Sequence, residues 1–88
     1  MDQHAQRSDD VLVQEVGGEA VLLDLSSEKY FGLDPVGTRI WALLGEYSHL
    51  QSVHDRLCAE YDAEPDRIAA DLLALVGKLA EAGLVEVA

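Results

Sequence analysis

The sequence predicts an α+β domain in which a three-stranded antiparallel sheet is followed by three helices, as in winged helix-turn-helix folds. Three observations support this prediction. Short β-type segments with tight polar turns fill the first third of the chain, the Asp34-Pro35 step ends that pattern, and apolar residues then recur at helical spacing. With 88 residues, 49% of them hydrophobic and 26% charged, the chain has the composition of one small globular domain.

The strands are expected to follow a flexible tail. Residues 1–10 contain few apolar side chains, so we expect them to be a flexible N-terminal tail. Residues 11–88 are then expected to form a single domain, because no linker, repeat or low-complexity segment interrupts them.

Three strands are expected after the tail. Residues 11–16 and 20–25 read as two strands joined by Gly17-Gly18, a two-residue hairpin signal. A polar turn leads to a shorter third strand, Lys29–Leu33. Tight connections make neighbouring strands antiparallel, so the second strand is central and the third is an edge.

Each helix is marked by residues that favour its start or its end. Asp34-Pro35 supplies an N-cap followed by proline at the first helical position. Ser48 and Gln51 have the spacing of a capping box for the second helix. The third helix is expected from Pro65 to about Ala82, with Gly83 as the residue that ends it.

The third helix has an unusually wide apolar face. Its apolar arc spans roughly 160°, against about 100° for an ordinary surface helix. Two explanations remain open: the helix is central in the core, or part of the arc lines a groove for a partner. The arc consists of Ile68, Ala69, Leu72, Leu73, Leu75, Val76, Leu79 and Ala80.

The third strand is a candidate binding edge. Only Lys29 and Gly32 offer the protection that exposed edges usually have. An open edge beside an apolar helix face can bind an extended peptide as an additional strand. The alternative is that the C-terminal Leu84–Val87 covers this edge of the sheet.

Charge and composition exclude several classes of function. The chain has 17 Asp and Glu against 6 Lys and Arg, a net charge of −11, which disfavours nucleic acids and anionic membrane surfaces. No apolar run is long enough for a membrane span, and the N-terminus has no signal-peptide core. We therefore expect a cytoplasmic protein, a monomer or a weak dimer, with no nucleic-acid or membrane partner.

Catalytic and metal-binding patterns are weak. His54 and Cys58 could supply two metal ligands, but no second pair completes a site. Acidic neighbours disfavour a reactive Cys58 thiolate, and Gly17-Gly18 lacks the lysine and helix of a phosphate-binding loop. We expect no enzyme activity, no catalytic residue, no metal and no cofactor.

One segment resembles a known family. The run YFGLDPVGTRIWALL, residues 30–44, is similar to the signature of the PqqD-like family, the RiPP recognition elements that bind leader peptides of ribosomally made natural products. The resemblance extends from about Val11 to Val87. It is greatest to the separate recognition proteins of split lasso-peptide systems.

This resemblance implies a function and a site. The leader would pair antiparallel with the third strand, in a cleft against the third helix, and the protein would present it to a leader peptidase and possibly a cyclase. Ile40 and Trp41 are expected in the core. The alternative function is a winged-helix-like DNA-binding or protein-interaction regulator. The implied peptide-binding residues are Lys29, Tyr30, Phe31, Gly32, Leu33, Ala69, Leu72, Leu73, Val76 and Lys78.

Overall fold

The sheet lies at the N-terminal end of the chain and the helices follow it. The computed structural model describes residues 3–88. Its elements, in chain order, are β1 (Ala5–Arg7), β2 (Val11–Val16), β3 (Glu19–Asp24), β4 (Lys29–Gly32), α1 (Pro35–Glu46), α2 (Leu50–Glu60), α3 (Pro65–Glu81) and β5 (Val85–Val87). The predicted α+β fold is confirmed.

Strands β2, β3 and β4 form an antiparallel sheet with β3 in the centre. Gly17 and Gly18 both have positive φ, 62° and 82°, as a tight hairpin turn between β2 and β3 requires. The chain leaves β4 for α1 almost at once. The amide of Ala20 therefore donates a hydrogen bond of 2.8 Å to the hydroxyl of Thr38 on α1.

Two of the three predicted helix signals act as expected. The Asp34 carboxylate accepts a 2.7 Å hydrogen bond from the Gly37 amide and caps α1. Gly83 has φ of 77°, the left-handed conformation that ends α3. The capping box predicted for α2 is wrong: His49 is the N-cap residue and makes no side-chain cap hydrogen bond. The hydroxyl of Ser48 instead lies 3.4 Å from the His4 ring.

The N-terminal segment is an ordered part of the fold. A flexible tail over residues 1–10 is wrong for β1, which pairs antiparallel with β5; residues 1 and 2 lie outside the described part of the chain. Ala5 is fully buried, and its amide donates to the Ser48 carbonyl. The pairing joins residues far apart in sequence, so no local pattern signals it.

Arg7 fixes β1 against the first helix. Its guanidinium lies over the Trp41 ring, 5.2 Å from the ring centroid, a cation–π contact. Gly45 leaves room for this guanidinium, because a Cβ at that position would force the end of the flexible Arg7 side chain to shift. Helix α1 continues past Gly45 and ends at Glu46.

The core lies between the inner face of the sheet and the helices. Leu22 from the sheet and leucines from all three helices are almost inaccessible to solvent, and Trp41 is buried with them as expected. None of the helices in residues 3–88 has the length and apolar content of a membrane span.

Candidate functional site

Strand β4 has one free side. It is the last strand of the β2–β3–β4 sheet, and in residues 3–88 no strand pairs with its outer edge. The C-terminal strand β5 pairs with β1, so the alternative in which Leu84–Val87 covers β4 does not hold. The edge therefore has main-chain groups available for another strand.

Alternation along the strand identifies those groups. The Leu33 amide donates a hydrogen bond of 2.8 Å to the Ala20 carbonyl. Leu33 and Ala20 are therefore a hydrogen-bonded pair across the two strands. In an antiparallel ladder every second residue bonds to the same neighbour, so Phe31 also bonds to β3. Tyr30 and Gly32 then direct their amides and carbonyls outward, away from β3.

A cleft runs alongside this edge. It has a volume of about 550 Å³ and lies between β4, the start of α1 and one flank of α3. Backbone edge and apolar wall are thus side by side, the arrangement that strand addition requires. The cleft is lined by Phe31, Gly32, Leu33, Asp34, Val36, Gly37, Ile40, Asp71, Ala74, Leu75 and Lys78.

The helical wall is one stripe of α3. Asp71, Ala74, Leu75 and Lys78 follow the i, i+3, i+4, i+7 spacing of a single helix face. The wall is apolar in the middle, with an acid and a base two turns apart, about 10 Å along the axis. It can therefore contact apolar peptide side chains between two charges of opposite sign.

A smaller pocket continues the cleft towards α2. It measures about 110 Å³ and shares Val36, Ile40 and Asp71 with the cleft. Its other lining residues come from α2, the α2–α3 connection and the first turn of α3; they are Leu57, Tyr61, Ala63, Arg67 and Ile68. The pocket has room for one apolar side chain at the α1 end of the cleft.

The structure brings some of the expected site residues to the cleft. Phe31, Gly32, Leu33 and Lys78 line it. Lys29 and Tyr30 belong to the same edge strand but are not part of the lining.

Four of the five α3 residues expected to contact the peptide lie away from the lining of the cleft. Leu72 and Val76 are buried in the core, at 0% and 4% exposure. Ala69 and Leu73 lie on the opposite flank of the apolar arc from Leu75 and do not line the cleft. Periodicity defines an apolar arc, but it does not say which flank faces the sheet.

The start of α1 was missed as a wall of the site. Val36 and Ile40 contribute to both the cleft and the smaller pocket. Ile40 is buried, as expected for the core, and also forms part of the floor. Their position directly after an edge strand was the available signal, because the chain turns from β4 into α1 within two residues.

A polar turn holds β4 in place. The Asp24 carboxylate accepts hydrogen bonds from the Ser26 hydroxyl at 2.8 Å, the Ser26 amide at 3.0 Å and the Ser27 hydroxyl at 2.9 Å. These bonds, that of the Ser26 hydroxyl most of all, hold the pKa of Asp24 below its ordinary value. The charged carboxylate thus organises the turn into the edge strand.

No group of three or more potential metal ligands occurs in the described residues. The Cys58 sulfur lies 3.6 Å from His54 Nε2, which is also 2.9 Å from the Pro65 carbonyl oxygen. This imidazole therefore links α2 to the first turn of α3.

The fold and the cleft together define a small α+β module with an unpaired sheet edge over an apolar groove, the geometry of strand-addition modules. The family model for coenzyme PQQ synthesis protein D (PqqD) matches residues 19–85. The chain belongs to the PqqD family, and the resemblance seen in the sequence is confirmed.

Two solved structures are similar over nearly the whole chain. The structure of TbiB1 in complex with the TbiA(beta) leader peptide has 40% sequence identity and a TM-score of 0.85, and the match covers 92% of this chain and 94% of that one. The structure of lasso peptide synthetase B1 complexed with the leader peptide has 26% sequence identity and a TM-score of 0.82. This match covers 94% of this chain and 98% of that one. No curated protein sequence matches the chain significantly.

Proposed function

We propose that this protein is a non-catalytic recognition protein that binds the leader segment of a ribosomally synthesised precursor of the lasso-peptide class. The leader adds to β4 as an antiparallel strand. The observation that carries the proposal is the free edge of β4 beside an apolar cleft. Two relatives of similar fold and length that hold leader peptides support it.

The cleft gives the leader a direction. Val36 and Ile40, which follow β4 in the chain, border the smaller pocket, so this pocket lies beyond the C-terminal end of β4. A strand antiparallel to β4 has its N-terminal end there. An apolar leader side chain on the N-terminal side of the paired segment then enters the pocket, and the rest of the precursor leaves past Lys29.

The mechanism is proximity. Bound leader raises the effective concentration of the attached precursor at a leader peptidase and a cyclase, which act as separate cytoplasmic partners. Backbone pairing and a few apolar anchors are consistent with a Kd between about 1 μM and 1 nM, or about −8 to −12 kcal/mol. The net charge of −11 and the peptide-bound relatives favour a peptide over duplex DNA as the ligand.

The test is titration of a fluorescently labelled cognate leader peptide with wild-type protein, Gly32→Pro and Gly32→Ala. Proline removes an outward amide, whereas a Cβ at residue 32 has no atom within 4 Å, so alanine is the matched control. We expect saturable binding, weakened at least tenfold by Gly32→Pro and less than threefold by Gly32→Ala.

A second measurement leaves the protein unchanged. Leader peptides N-methylated at successive positions should lose affinity at every second residue, because alternate amides pair with β4. Absence of saturable binding to the wild type, or equal binding by the proline and alanine variants with no alternation in the methylated series, contradicts the proposal.

A further inference from the structure

The face of the sheet that points away from the helices is unusually apolar. The register places Leu12, Leu23 and Tyr30 side by side across β2, β3 and β4. Leu12 is 54% exposed and Tyr30 is 75% exposed. We call this surface the outer face; it consists of Leu12, Val16, Val21, Leu23, Leu25 and Tyr30.

This pattern departs from that of a solvated sheet. The exposed face of an antiparallel sheet normally carries polar residues that alternate with the buried ones. On the outer face only Gln14 and Glu19 of the strand residues are polar. A contiguous exposed apolar patch on a small protein is typical of an interaction surface.

The outer face is continuous with the leader site. Tyr30 belongs to β4, the strand whose edge is free for the leader. A strand paired there would point alternate side chains to the same side as Tyr30. The outer face and the bound leader would then form one surface.

Charge restricts what can cover this surface. Acidic residues lie near both ends of the strands. Asp10 and Glu28 lie at one end, where the Asp10 carbonyl accepts a hydrogen bond from the Leu25 amide, and Glu19 lies on the outer face at the hairpin end. A second copy of a chain with net charge −11, or an anionic membrane, is repelled. A protein with an apolar patch bordered by lysine and arginine fits both the surface and its rim.

We propose that the outer face docks the leader peptidase through such an apolar patch with a basic rim. The peptidase then contacts the recognition protein and the outward side chains of the bound leader together, which favours loaded over empty protein. The preference for loaded protein rests on the proposed function. Docking of the peptidase to the outer face does not, because it can be measured without leader.

The test uses Leu12→Glu, with Val13→Glu as the matched control. The two residues are neighbours on β2 with similar exposure, 54% and 44%, but alternation points them to opposite faces. Strand β2 is two strands from the β4 edge, about 10 Å away, so neither variant touches the leader site. The two probes are labelled leader peptide and the purified leader peptidase that acts on the same precursor.

We expect Leu12→Glu to weaken peptidase binding at least tenfold and leader binding less than twofold, and Val13→Glu to leave both near wild type. Val16→Glu, at the most exposed position of the patch, repeats the test if Leu12→Glu lowers the melting temperature. Light scattering of each protein alone determines whether the face joins two copies.

Several results overturn the inference: no peptidase binding by wild type, equal loss in Leu12→Glu and Val13→Glu, no loss in the outer-face variants, or a wild-type dimer that Leu12→Glu dissociates. A wild type that binds peptidase through this face but does not bind leader contradicts the proposed function instead, and leaves the docking surface in place.

Discussion

The backbone amide of Ala20 on the central strand and the hydroxyl of Thr38 on α1 are joined by a hydrogen bond of 2.8 Å. The Ala20 amide points towards β4, but the chain has already left the sheet for α1 at that level. The threonine hydroxyl takes the place of a strand carbonyl. It thereby fixes the start of α1, one wall of the cleft, relative to the edge strand.

Replacing Thr38 with valine should destabilise the protein by about 1–3 kcal/mol, because the part-buried Ala20 amide loses its acceptor at nearly constant side-chain volume. Urea unfolding followed by circular dichroism measures the change. Thr38→Ser keeps the hydroxyl and should lower the free energy of unfolding clearly less. Equal stability of the valine and wild-type proteins would show that the bond does not hold α1 to the sheet.

The flank of α3 that faces the cleft can be tested with two leucines. Leu75→Ser should weaken leader binding by about 5- to 30-fold, or about 1–2 kcal/mol, because Leu75 lines the cleft. Leu73→Ser is the control, since Leu73 is exposed on the other flank. Isothermal titration calorimetry gives both affinities. If Leu73→Ser lowers leader affinity more than Leu75→Ser does, the leader binds on the opposite flank of the helix.

An ion-pair cluster makes stability depend on pH. Arg39 donates two hydrogen bonds, of 2.6 and 2.7 Å, to the Glu60 carboxylate, and Arg56 donates a third of 3.0 Å. Arg39 first and Arg56 second hold the pKa of Glu60 below its ordinary value. A lowered folded-state pKa stabilises the protein above the unfolded pKa of about 4.3, and this contribution is lost as pH falls through the folded value.

Glu60→Gln should therefore melt at a lower temperature than wild type from pH 7 to about pH 5, with the difference shrinking below about pH 4.3. Differential scanning calorimetry across this range measures it. Arg39→Gln should give the same profile, because it removes the largest cause of the shift. A difference that stays constant down to pH 2.5 would contradict this assignment.

Removal of residues 1–7 should lower the free energy of unfolding by more than about 2 kcal/mol. Several backbone hydrogen bonds, at about 0.5–1.5 kcal/mol each, are lost together with buried Ala5. Chemical denaturation measures the loss. Gln6→Ala, which changes an exposed side chain of β1 and keeps its backbone, is the control and should have little effect. Unchanged stability of the truncated protein would mean that the β1–β5 ladder contributes nothing to the fold.

Much of this fold could be predicted because its signals are local. The hairpin glycines, the Asp34 cap and the Gly83 helix end each act within a few residues of their position. The free edge of β4 also follows from local information, because a short connection on either side leaves the third strand outermost. The backbone half of the candidate site therefore came from sequence.

The rest depends on contacts between distant residues. β1 is three residues long and has no apolar alternation; it forms because β5 lies beside it. The rotation of α3 is set by packing of residues such as Leu72 and Leu79 in the shared core, so the cleft-facing stripe around Leu75 could not be chosen from periodicity. The room that Gly45 leaves on α1 is filled by Arg7 from β1, a contact that no pattern within the helix indicates.

The β1–β5 pairing brings the two ends of the described chain together. His4 and Ala88 exchange reciprocal backbone hydrogen bonds of 2.9 and 2.8 Å. A few glycines and serines could therefore close the backbone into a ring, and new termini could be opened at the Gly17-Gly18 hairpin with the same strand order. Such a circular permutant would remain able to take up leader, since the new opening lies in the β2–β3 turn and leaves the backbone of β4 intact.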